Sequence, residues 1–437
     1  MTAVATLAPA HRPRFAPHTA LVVFGACLAL PQDLAVAGLD SPITPARVVA
    51  VGCLLWWGVA RLVGGLGLRR GSNPVRAATL LMIWVLLVTH AIALASGVVD
   101  LKITQSDSRL AAFVVYVGLA LLAADGLDRL NAVRAVMGAL VIAATLSAFA
   151  AVLQYAVSFD LRGLLVFPGL ELRDLTPVIT ERGGLKRSLG FANHPIELAA
   201  VSTACVPLAL HLAKFASWRM FWLCCAAVLV AGPVVSVSRT GLLGLVLVML
   251  ALLPRWGSAR WSLMVTTLGG IGVFAMTLTG KLADVWSQVV LDANKDTSVL
   301  HRTSVWDYVA EQVTARPLSG QGFGTYTQPA QPYLDNQYLF TAVESGIPGL
   351  LAMMVFLAVP LWWAHRVWRI GAHSETIARR ERLALSDAGW AIGTALLVCA
   401  VSFGTFDALS FPQMRGFIFT LIGVTGALVV LTRGRQS

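Results

Sequence analysis

Residues 299–349 read VLHRTSVWDYVAEQVTARPLSGQGFGTYTQPAQPYLDNQYLFTAVESGIPG, and long apolar segments lie on both sides of them. The stretch is polar, carries Arg302 and Asp335, and has three glycines at alternate positions from Gly320, where the backbone can turn tightly. Hydrocarbon does not stabilise such a loop. We therefore expect the stretch to form half of a functional site at one membrane face, with the rest of the chain as its scaffold.

The composition indicates an integral membrane protein. Of the 437 residues, 57% are hydrophobic and only 13% are charged. The six cysteines all lie in apolar runs without metal-ligand spacing, which is typical of small packing residues. The net charge of +11 does not indicate a nucleic-acid partner, because the placement of the basic residues relative to the membrane explains it.

Twelve apolar runs are long enough, or nearly so, to cross a bilayer as helices. They cover residues 18–38, 46–64, 76–97, 109–124, 131–154, 196–214, 219–238, 240–254, 260–280, 337–364, 386–406 and 412–432. Pro31 interrupts the first run, and the eighth is short. The sequence predicts an all-α integral membrane protein with about 12 transmembrane helices, forming a single polytopic domain over residues 1–437.

The distribution of basic residues predicts the orientation. With the N-terminus in the cytoplasm, the short cytoplasmic loops and tails contain 19 of the 33 Lys and Arg residues. Both termini are then cytoplasmic, and the loops 155–195 and 281–336 are extracytoplasmic. We expect two short helices in the second loop. Near 299–314, Trp306, Val309 and Val313 recur at helical spacing, which predicts a surface helix that ends before Pro317.

Several arginines and one histidine fall on the predicted outer face. Arg239 stands in SVSRTG (236–241), almost without a loop around it, and Arg302 lies on the predicted surface helix, one turn before Trp306. Taken alone, each could be an interfacial or solvated charge. Further candidates are Arg187, Arg415 between the last two spans, and His194, whose His-Pro pair also suits a helix start.

Carboxylates gather on the same predicted face. Asp335 and Asn336 open the tenth span, where an aspartate is ordinarily a helix cap. Glu344 lies within that span before Gly346 and Pro348, which should break the helix, and a carboxylate there needs a partner. Guanidinium groups suit a diphosphate, and a carboxylate or imidazole suits deprotonation of a hydroxyl. The sequence contains no DxD and no HxxxH, so we expect no metal and no cofactor.

Three motifs together resemble the O-antigen ligase and Wzy-type polymerase superfamily of bacterial membrane glycosyltransferases. They are SVSRTG at 236–241, HRTSVW at 301–306 followed by PLSGQGFGTY at 317–326, and DNQYLFTAVESGIPGL at 335–350. The resemblance implies a GT-C-like helical bundle with short surface helices in its two long outer loops. It also implies a bacterial cytoplasmic (inner) membrane location and an active site on the extracytoplasmic face.

The resemblance implies transfer of glycan from an undecaprenyl-type diphosphate to an acceptor hydroxyl, with inversion and without a nucleotide sugar. Arg239 and Arg302 would hold the diphosphate, helped by Arg187 and Arg415. Family ligases usually have histidine where this chain has Asp335, which favours a polymerase. The general base is Asp335 or His194, and Asn336, Glu344 and Tyr326 are further site candidates.

The prediction is a polymerase that joins lipid-diphosphate-linked repeat units on the outer face of the membrane. Its partners would be a polyprenyl-diphosphate-linked glycan donor, a glycan or lipid acceptor, the lipid bilayer and, in some systems, a chain-length regulator. A ligase that passes glycan to a different lipid or a protein is the alternative. A transporter of lipid-linked glycan is disfavoured, because the charges gather at one face and the two halves do not repeat.

Overall fold

The described residues form twelve α-helices, numbered here in chain order. The computed structural model describes residues 16–39, 43–64, 66–96, 100–173, 179–182, 185–253, 305–327, 330–373 and 378–433. The helices are α1 (Pro17–Leu28), α2 (Pro45–Val63), α3 (Pro74–Ala95), α4 (Asp100–Gly126), α5 (Leu130–Val157), α6 (Pro195–Phe215), α7 (Arg219–Val235), α8 (Arg239–Leu252), α9 (Trp306–Ala315), α10 (Gln337–His373), α11 (Arg379–Phe403) and α12 (Pro412–Arg433).

These helices make a multi-pass membrane bundle. Within the described ranges, eight helices are long and apolar enough to cross a membrane, and α1, α7 and α8 are shorter apolar helices. Predicted spans two to eight and ten to twelve fall on helices, and the first does so in part. The ninth predicted span, 260–280, lies outside the described residues.

The first span is shorter than predicted. The hydropathy of residues 18–38 suggested one helix, but α1 ends at Leu28 and Leu34–Val36 form a short strand, β1. Pro31 explains the difference, because proline lacks an N–H donor and disfavours the helical conformation of the residue before it.

Helix starts carry ordinary capping signals. Proline occupies the first turn of α1, α2, α3 and α6. The Thr44 hydroxyl caps α2, and the Asn73 amide caps α3. The starts of α2, α4, α10 and α12 line one cavity, and residues 404–411 contact the starts of α6 and α8, so these six helices begin at one end of the bundle.

The core is built around α6 and α12. Of their most apolar 18-residue windows, 94% and 89% are buried, compared with 22% for α2, so α6 and α12 lie at the centre and α2 at the edge. Gly423 lets α12 approach α4 closely, since a Cβ there would lie 2.4 Å from the Ala120 carbonyl oxygen.

One end of the bundle carries the longer connections, and we call it the loop face. There β1 pairs antiparallel with β2 (Leu170–Leu172), and β3 (Ile179–Arg182) pairs with β4 (Leu185–Ser188). The loop after α5 therefore contains strands and a 3-10 turn (Arg162–Leu165), and the surface α-helix, α9, lies in the second long loop. In α9, Val309 is buried and Val313 packs against the same cluster, whereas the Trp306 side chain is 54% exposed.

Candidate active site

The connection from α11 to α12, residues 404–411, lies at the centre of the loop face. Gly404 accepts a hydrogen bond from the Asn336 amide (3.2 Å), and the Thr405 hydroxyl accepts one from Thr240 (2.9 Å). The Phe411 ring lies 5.6 Å from the ring of His194. This connection therefore brings together the starts of α6, α8 and α10, which the sequence analysis selected separately.

Arg239 begins α8 directly after a strained turn. Val237, in the turn from α7, has a φ of +47°, an unfavourable value for a β-branched residue. Gly241 is required next to it, because a Cβ would lie 2.4 Å from the Cβ of Pro233. The Arg187 Nε donates to the carbonyl of Ser236 in the same turn (2.9 Å). Arg187 and Arg239 thus belong to one structural unit.

His194 is both a helix cap and a half-buried imidazole. Its Nδ1 accepts a hydrogen bond from the Ile196 N–H (3.2 Å). Burial and, secondarily, the nearby Arg187 charge lower the pKa of His194 to about 4. A neutral imidazole that accepts at Nδ1 carries its proton on Nε2. In this state the other nitrogen of His194 is a hydrogen-bond donor rather than a base.

Glu197 fixes the start of α12 from inside α6, and the sequence analysis did not select it. It is fully buried, and its carboxylate accepts from the backbone N–H groups of Asn193, Gln413 and Met414 at 2.7–3.0 Å. Glu197 follows the His194 cap by three residues, which is the capping-box spacing. This spacing is the sequence feature that could have identified it.

Asn336, not Asp335, caps α10. The Asn336 side-chain oxygen accepts from the N–H groups of Tyr338 (2.9 Å) and Leu339 (3.2 Å). The capping role considered for Asp335 is therefore performed by its neighbour. Asp335 is half-buried just outside the helix, so its carboxylate is available for chemistry.

Asp407 is a second carboxylate beside Asp335. Burial, with a smaller contribution from the charge of Asp335, raises the pKa of Asp407 to about 6, while the Ser410 hydroxyl and Arg109 act in the opposite direction. A buried carboxyl group with a raised pKa beside a second carboxylate is typical of sites that move protons. The sequence analysis did not select Asp407. The feature that could have identified it is its position as a single acidic residue between two apolar spans.

Helix α10 is broken at Gly346, as its sequence predicted. Gly346 has φ +64° and ψ −167°, and the glycine-rich loop 317–324 fills the break. The N–H groups of Gln321 and Gly322 donate to the carbonyls of Val343 and Glu344 (2.9 and 2.8 Å). On the far side of the break, the Ile347 N–H donates to the Pro317 carbonyl (2.8 Å). The loop thus satisfies backbone groups that lipid could not.

The same loop is fastened to α3 and α4. Ser106 contacts the Phe323 carbonyl and lies 2.9 Å from Nδ1 of His90, whose Nε2 lies 2.9 Å from Asp107. A Cβ at Gly322 would lie 2.1 Å from the Cβ of Ala93, so only glycine allows this approach. The glycines of the motif therefore allow the loop to pack closely against α10 on one side and α3 on the other.

Glu344 has the partner that its burial requires. Its Oε1 lies 3.7 Å from Nη1 of Arg109 and accepts from the Tyr326 N–H (3.3 Å). Arg109 also donates to the Tyr326 carbonyl (2.6 Å). The buried Tyr326 donates its hydroxyl hydrogen to the Pro332 carbonyl (2.6 Å), and burial raises its pKa. Tyr326 thus supports the loop.

Arg415 lines a cavity whose lining does not include Arg187 or Arg239. With Arg47 and Arg109 it lines a cavity of about 280 Å³ between the starts of α2, α4, α10 and α12. Its Nε donates to the Leu409 carbonyl (2.6 Å), and its guanidinium lies 5.4 Å from the centre of the Tyr116 ring. The sequence analysis missed Arg47 and Arg109. The sequence feature that could have identified them is their position: each lies at the predicted outer end of a span, two or four, where the positive-inside rule makes arginine less frequent.

The loop face therefore gathers every predicted site residue that the structure describes: Arg187, His194, Arg239, Tyr326, Asp335, Asn336, Glu344 and Arg415. Arg302 lies outside the described residues, so its predicted role stays a prediction. The assembled groups could bind a diphosphate through guanidinium forks and remove a proton from a hydroxyl. No group of three or more His, Cys, Asp or Glu suited to a metal occurs among the residues the structure describes.

A comparison with protein-family models supports the resemblance suggested by the motifs. The model of the O-antigen ligase family matches residues 223–354, which run from α7 through the α7–α8 turn and the glycine-rich loop into α10. The match thus contains Arg239, Asp335 and Glu344. A comparison with curated proteins found no match.

Proposed function

From the match of residues 223–354 to the O-antigen ligase and Wzy-type superfamily, we propose that this multi-pass membrane protein is a polysaccharide polymerase. It would transfer glycan from a polyprenyl diphosphate to a hydroxyl of a second lipid-linked glycan. The observation that carries the proposal is the contact of the 404–411 connection with two elements. Through Thr405 it holds the start of α8, with Arg239, and through Gly404 the start of α10, with Asp335.

In the proposed reaction, Asp335 takes the proton of the acceptor hydroxyl as the oxygen attacks the anomeric carbon. The bond from that carbon to the diphosphate oxygen breaks, and the electron pair leaves with the polyprenyl diphosphate. Arg239 and Arg187, with Arg302 as predicted, stabilise the developing phosphate charge. A single displacement of this kind inverts the anomeric configuration.

We assign His194 the role of a hydrogen-bond donor rather than the base. Its Nδ1 is occupied by the Ile196 N–H, so Nε2 carries the proton of the neutral ring. Nε2–H can donate to a phosphate oxygen of the leaving group. Asp335 has no competing role as a helix cap, since Asn336 performs that role. This difference favours Asp335 over His194 as the base.

The proposed location follows the positive-inside distribution. The loop face would be extracytoplasmic and both termini cytoplasmic, in the inner membrane of a bacterium. The proposed reaction needs no cofactor or metal, because the arginines supply the charge stabilisation that a metal could otherwise give. A chain-length regulator would be a further partner.

Ligase activity is the second candidate, and the match to the O-antigen ligase family favours it. A ligase would use the same donor chemistry but pass the glycan to a different lipid or a protein. The aspartate at position 335, where the ligases that this chain resembles usually have histidine, favours the polymerase.

A reconstituted transfer assay tests the proposal. Purified protein in liposomes receives polyprenyl-diphosphate-linked repeat units without nucleotide sugar, and the products are separated by size. We expect a ladder of longer lipid-linked glycans. Donor consumption only after addition of a different lipid or protein acceptor would establish the ligase. Movement of intact donor between leaflets without either product would show a transporter and contradict both enzymatic candidates.

A further inference from the structure

A cavity of about 830 Å³ lies between α1, α5 and α7, at the end of the bundle opposite the loop face. Asn131 in the first turn of α5, Phe215 at the end of α6 and Trp222 in the first turn of α7 line its outer part. Because α6 begins at the loop face, these positions place the mouth of the cavity at the other end. The cavity is therefore separate from the candidate active site.

The cavity has the length of one membrane leaflet. Its lining follows α5 from Asn131 to Ala143, a rise of about 18 Å in an α-helix. Half of the hydrocarbon core of a bilayer is about 15 Å thick. Three lining residues, Ala26, Ala135 and Ile142, are exposed on the outside of the bundle, where lipid would contact them. The cavity is thus a groove open to the lipid of a single leaflet, and we call it the α1–α5 groove.

The lining of the α1–α5 groove changes from polar to apolar with depth. Its polar residues lie at the outer end and are Asn131, Arg134, Ser217 and Arg380. Deeper in the groove, the lining consists of glycine, alanine and aliphatic side chains. Trp218, next to the mouth, is 80% exposed, as expected of a tryptophan at the membrane–water interface. The polar end therefore lies at the level of the lipid head groups and the apolar part at the level of their chains.

The polar end of the groove carries a positive charge that nearby carboxylates do not cancel. No described residue of the lining is acidic. Among the charges that act on Arg134, that of Arg380 is the strongest, and the opposing charge of Glu381 is weaker. Glu381 itself lies in the sequence RRERL (379–383), where three arginines accompany it. Each other acidic residue described at this end has cations beside it: Asp125 binds Arg61 and Arg76, Asp128 precedes Arg129, and Asp387 contacts Lys214 and His211.

We propose that the α1–α5 groove binds an anionic phospholipid of the leaflet opposite the loop face. Its phosphate would lie at Arg134 and Arg380, and an acyl chain would follow α5. Arg134 is positioned for this contact, since its Nη1 donates to Asn131 (3.2 Å) and its guanidinium lies 5.8 Å from the centre of the Phe215 ring. The bound lipid would bridge α5 and the start of α11.

The two parts of the lining together select this class of ligand. A free phosphate would leave the apolar part of the groove without a partner, although burial of an acyl chain there is favourable. A zwitterionic head group would bring its own cation close to Arg134 and Arg380, and like charges repel. An anionic phospholipid uses both the arginines and the apolar wall.

Native mass spectrometry of the full chain tests the arginine contacts. Detergent-purified protein is titrated with phosphatidylglycerol, and the apparent affinity of the first bound copy is measured. Arg134→Gln and Arg380→Gln should each weaken it about fivefold, and phosphatidylcholine should bind wild type more weakly by a similar factor. Arg380 is exposed, so its replacement should leave the fold intact. Arg129→Gln is the matched control, because Arg129 is exposed at the same end but outside the lining, and its affinity should equal that of wild type. Unchanged affinity in both groove variants, or equal affinity for the two lipids, would overturn the inference.

A second pair of variants tests whether the acyl chain occupies the groove. Ala135→Leu narrows the groove and should weaken phosphatidylglycerol binding severalfold. Ala77→Leu replaces another exposed alanine, near the start of α3 and outside the lining, and should have no effect. Glycerol phosphate, which lacks the chains, should not displace the lipid. Displacement by glycerol phosphate would indicate a site for free anions, and tighter binding of polyprenyl phosphate a site for carrier lipid, and either result would contradict the proposal. None of these measurements depends on transfer, so they are independent of the proposed function.

Discussion

The two ends of the helix bundle differ in how their charged side chains are arranged. At the end opposite the loop face, buried carboxylates are surrounded by cations. Asp125 binds Arg61, Arg76 (2.6 Å) and the Trp57 indole N–H (2.9 Å). These groups join α2, α3 and α4, so they stabilise the packing of three helices.

A second cluster at that end has the same character. Asp387 of α11 lies 2.8 Å from Nδ1 of His211 and 3.3 Å from Nζ of Lys214, both on α6. Buried charges with complete sets of opposite partners are expected in structural contacts. The loop face has one such cluster, in which Arg162 pairs with Asp33 and Asp160. It differs in having three arginines, Arg47, Arg109 and Arg415, around one cavity and in having two neighbouring carboxyl groups, Asp335 and Asp407. In the proposed function, the first end holds the helices together and the loop face binds and converts the substrate.

Replacing an aspartate with asparagine should have the most different consequences at the two ends of the bundle. Asp335→Asn removes the proposed base but leaves the Asn336 cap in place, so we expect transfer to fall about 100-fold or more. Asp387→Asn removes the partner of His211 and Lys214, so it should lower the melting temperature while the activity of folded protein stays close to wild type. Initial transfer rates and thermal unfolding measure both. Near-normal transfer by Asp335→Asn would place the base elsewhere.

Arginine substitutions extend the comparison. Arg239→Ala should reduce transfer by about 100-fold, because a guanidinium no longer stabilises the leaving diphosphate. Its counterpart, Arg76→Ala, leaves Arg61 on Asp125 and should cost stability rather than catalysis. The comparison is wrong if Arg76→Ala loses transfer as completely as Arg239→Ala when both are correctly folded.

The broken helix should tolerate no side chain where the glycine-rich loop enters it. Gly320 has a φ of +62°, and a Cβ there would lie 2.5 Å from the backbone carbon of Glu344. We expect Gly320→Ala to destabilise the protein by about 1–3 kcal/mol and to lower transfer as the loop shifts. A Cβ at Gly163, also on the loop face, would meet nothing within 4 Å, so Gly163→Ala should behave as wild type. Equal melting temperatures of the two variants would contradict this packing.

The smallest expected effect concerns pH. The pKa of His194 is lowered from 6.5 to about 4 in the folded protein. As the pH falls from 6.5 to 4, the unfolded chain therefore binds a proton before the folded one does, and the folded state loses stability over this pH range. His194→Asn can keep the cap, and its loss of melting temperature between pH 7.5 and 4.5 should be smaller by about 2 °C. Asp407 acts oppositely, since its raised pKa of about 6 lets the folded state bind the proton first. Asp407→Asn should therefore enlarge the loss, and a change in the same direction for both variants would contradict these assignments.

Hydropathy predicted most of the helices because a membrane-spanning helix carries its signal within about 20 consecutive residues. Local signals also predicted the break at Gly346 and a surface helix that contains Trp306, Val309 and Val313. The exposure of Trp306 and the early end of α1 were not predicted, since each depends on packing around the element as well as on its apolar pattern.

The site was predicted where its residues stand in unusual local sequence, as Arg239 and Asp335 do. The pocket of Arg47, Arg109 and Arg415 was not, because its members lie on helices far apart in the chain and only packing brings them together. The capping of α10 by Asn336 rather than Asp335 was not predicted for a similar reason. Both residues suit a helix cap, and the hydrogen-bond geometry alone decides which one performs it.

The most direct test of the central claim asks which end of the bundle faces the donor and carries out transfer. In right-side-out vesicles, Leu318→Cys on the loop face, where the native side chain is 73% exposed, is treated with a bulky impermeant maleimide. Asp128→Cys, exposed at the opposite end, is the control, and wild type corrects for the native cysteines. The account predicts that Leu318→Cys is labelled from outside and loses transfer, while Asp128→Cys is labelled only after the membrane is opened. Labelling of Asp128→Cys from outside, or full transfer by labelled Leu318→Cys, would contradict it.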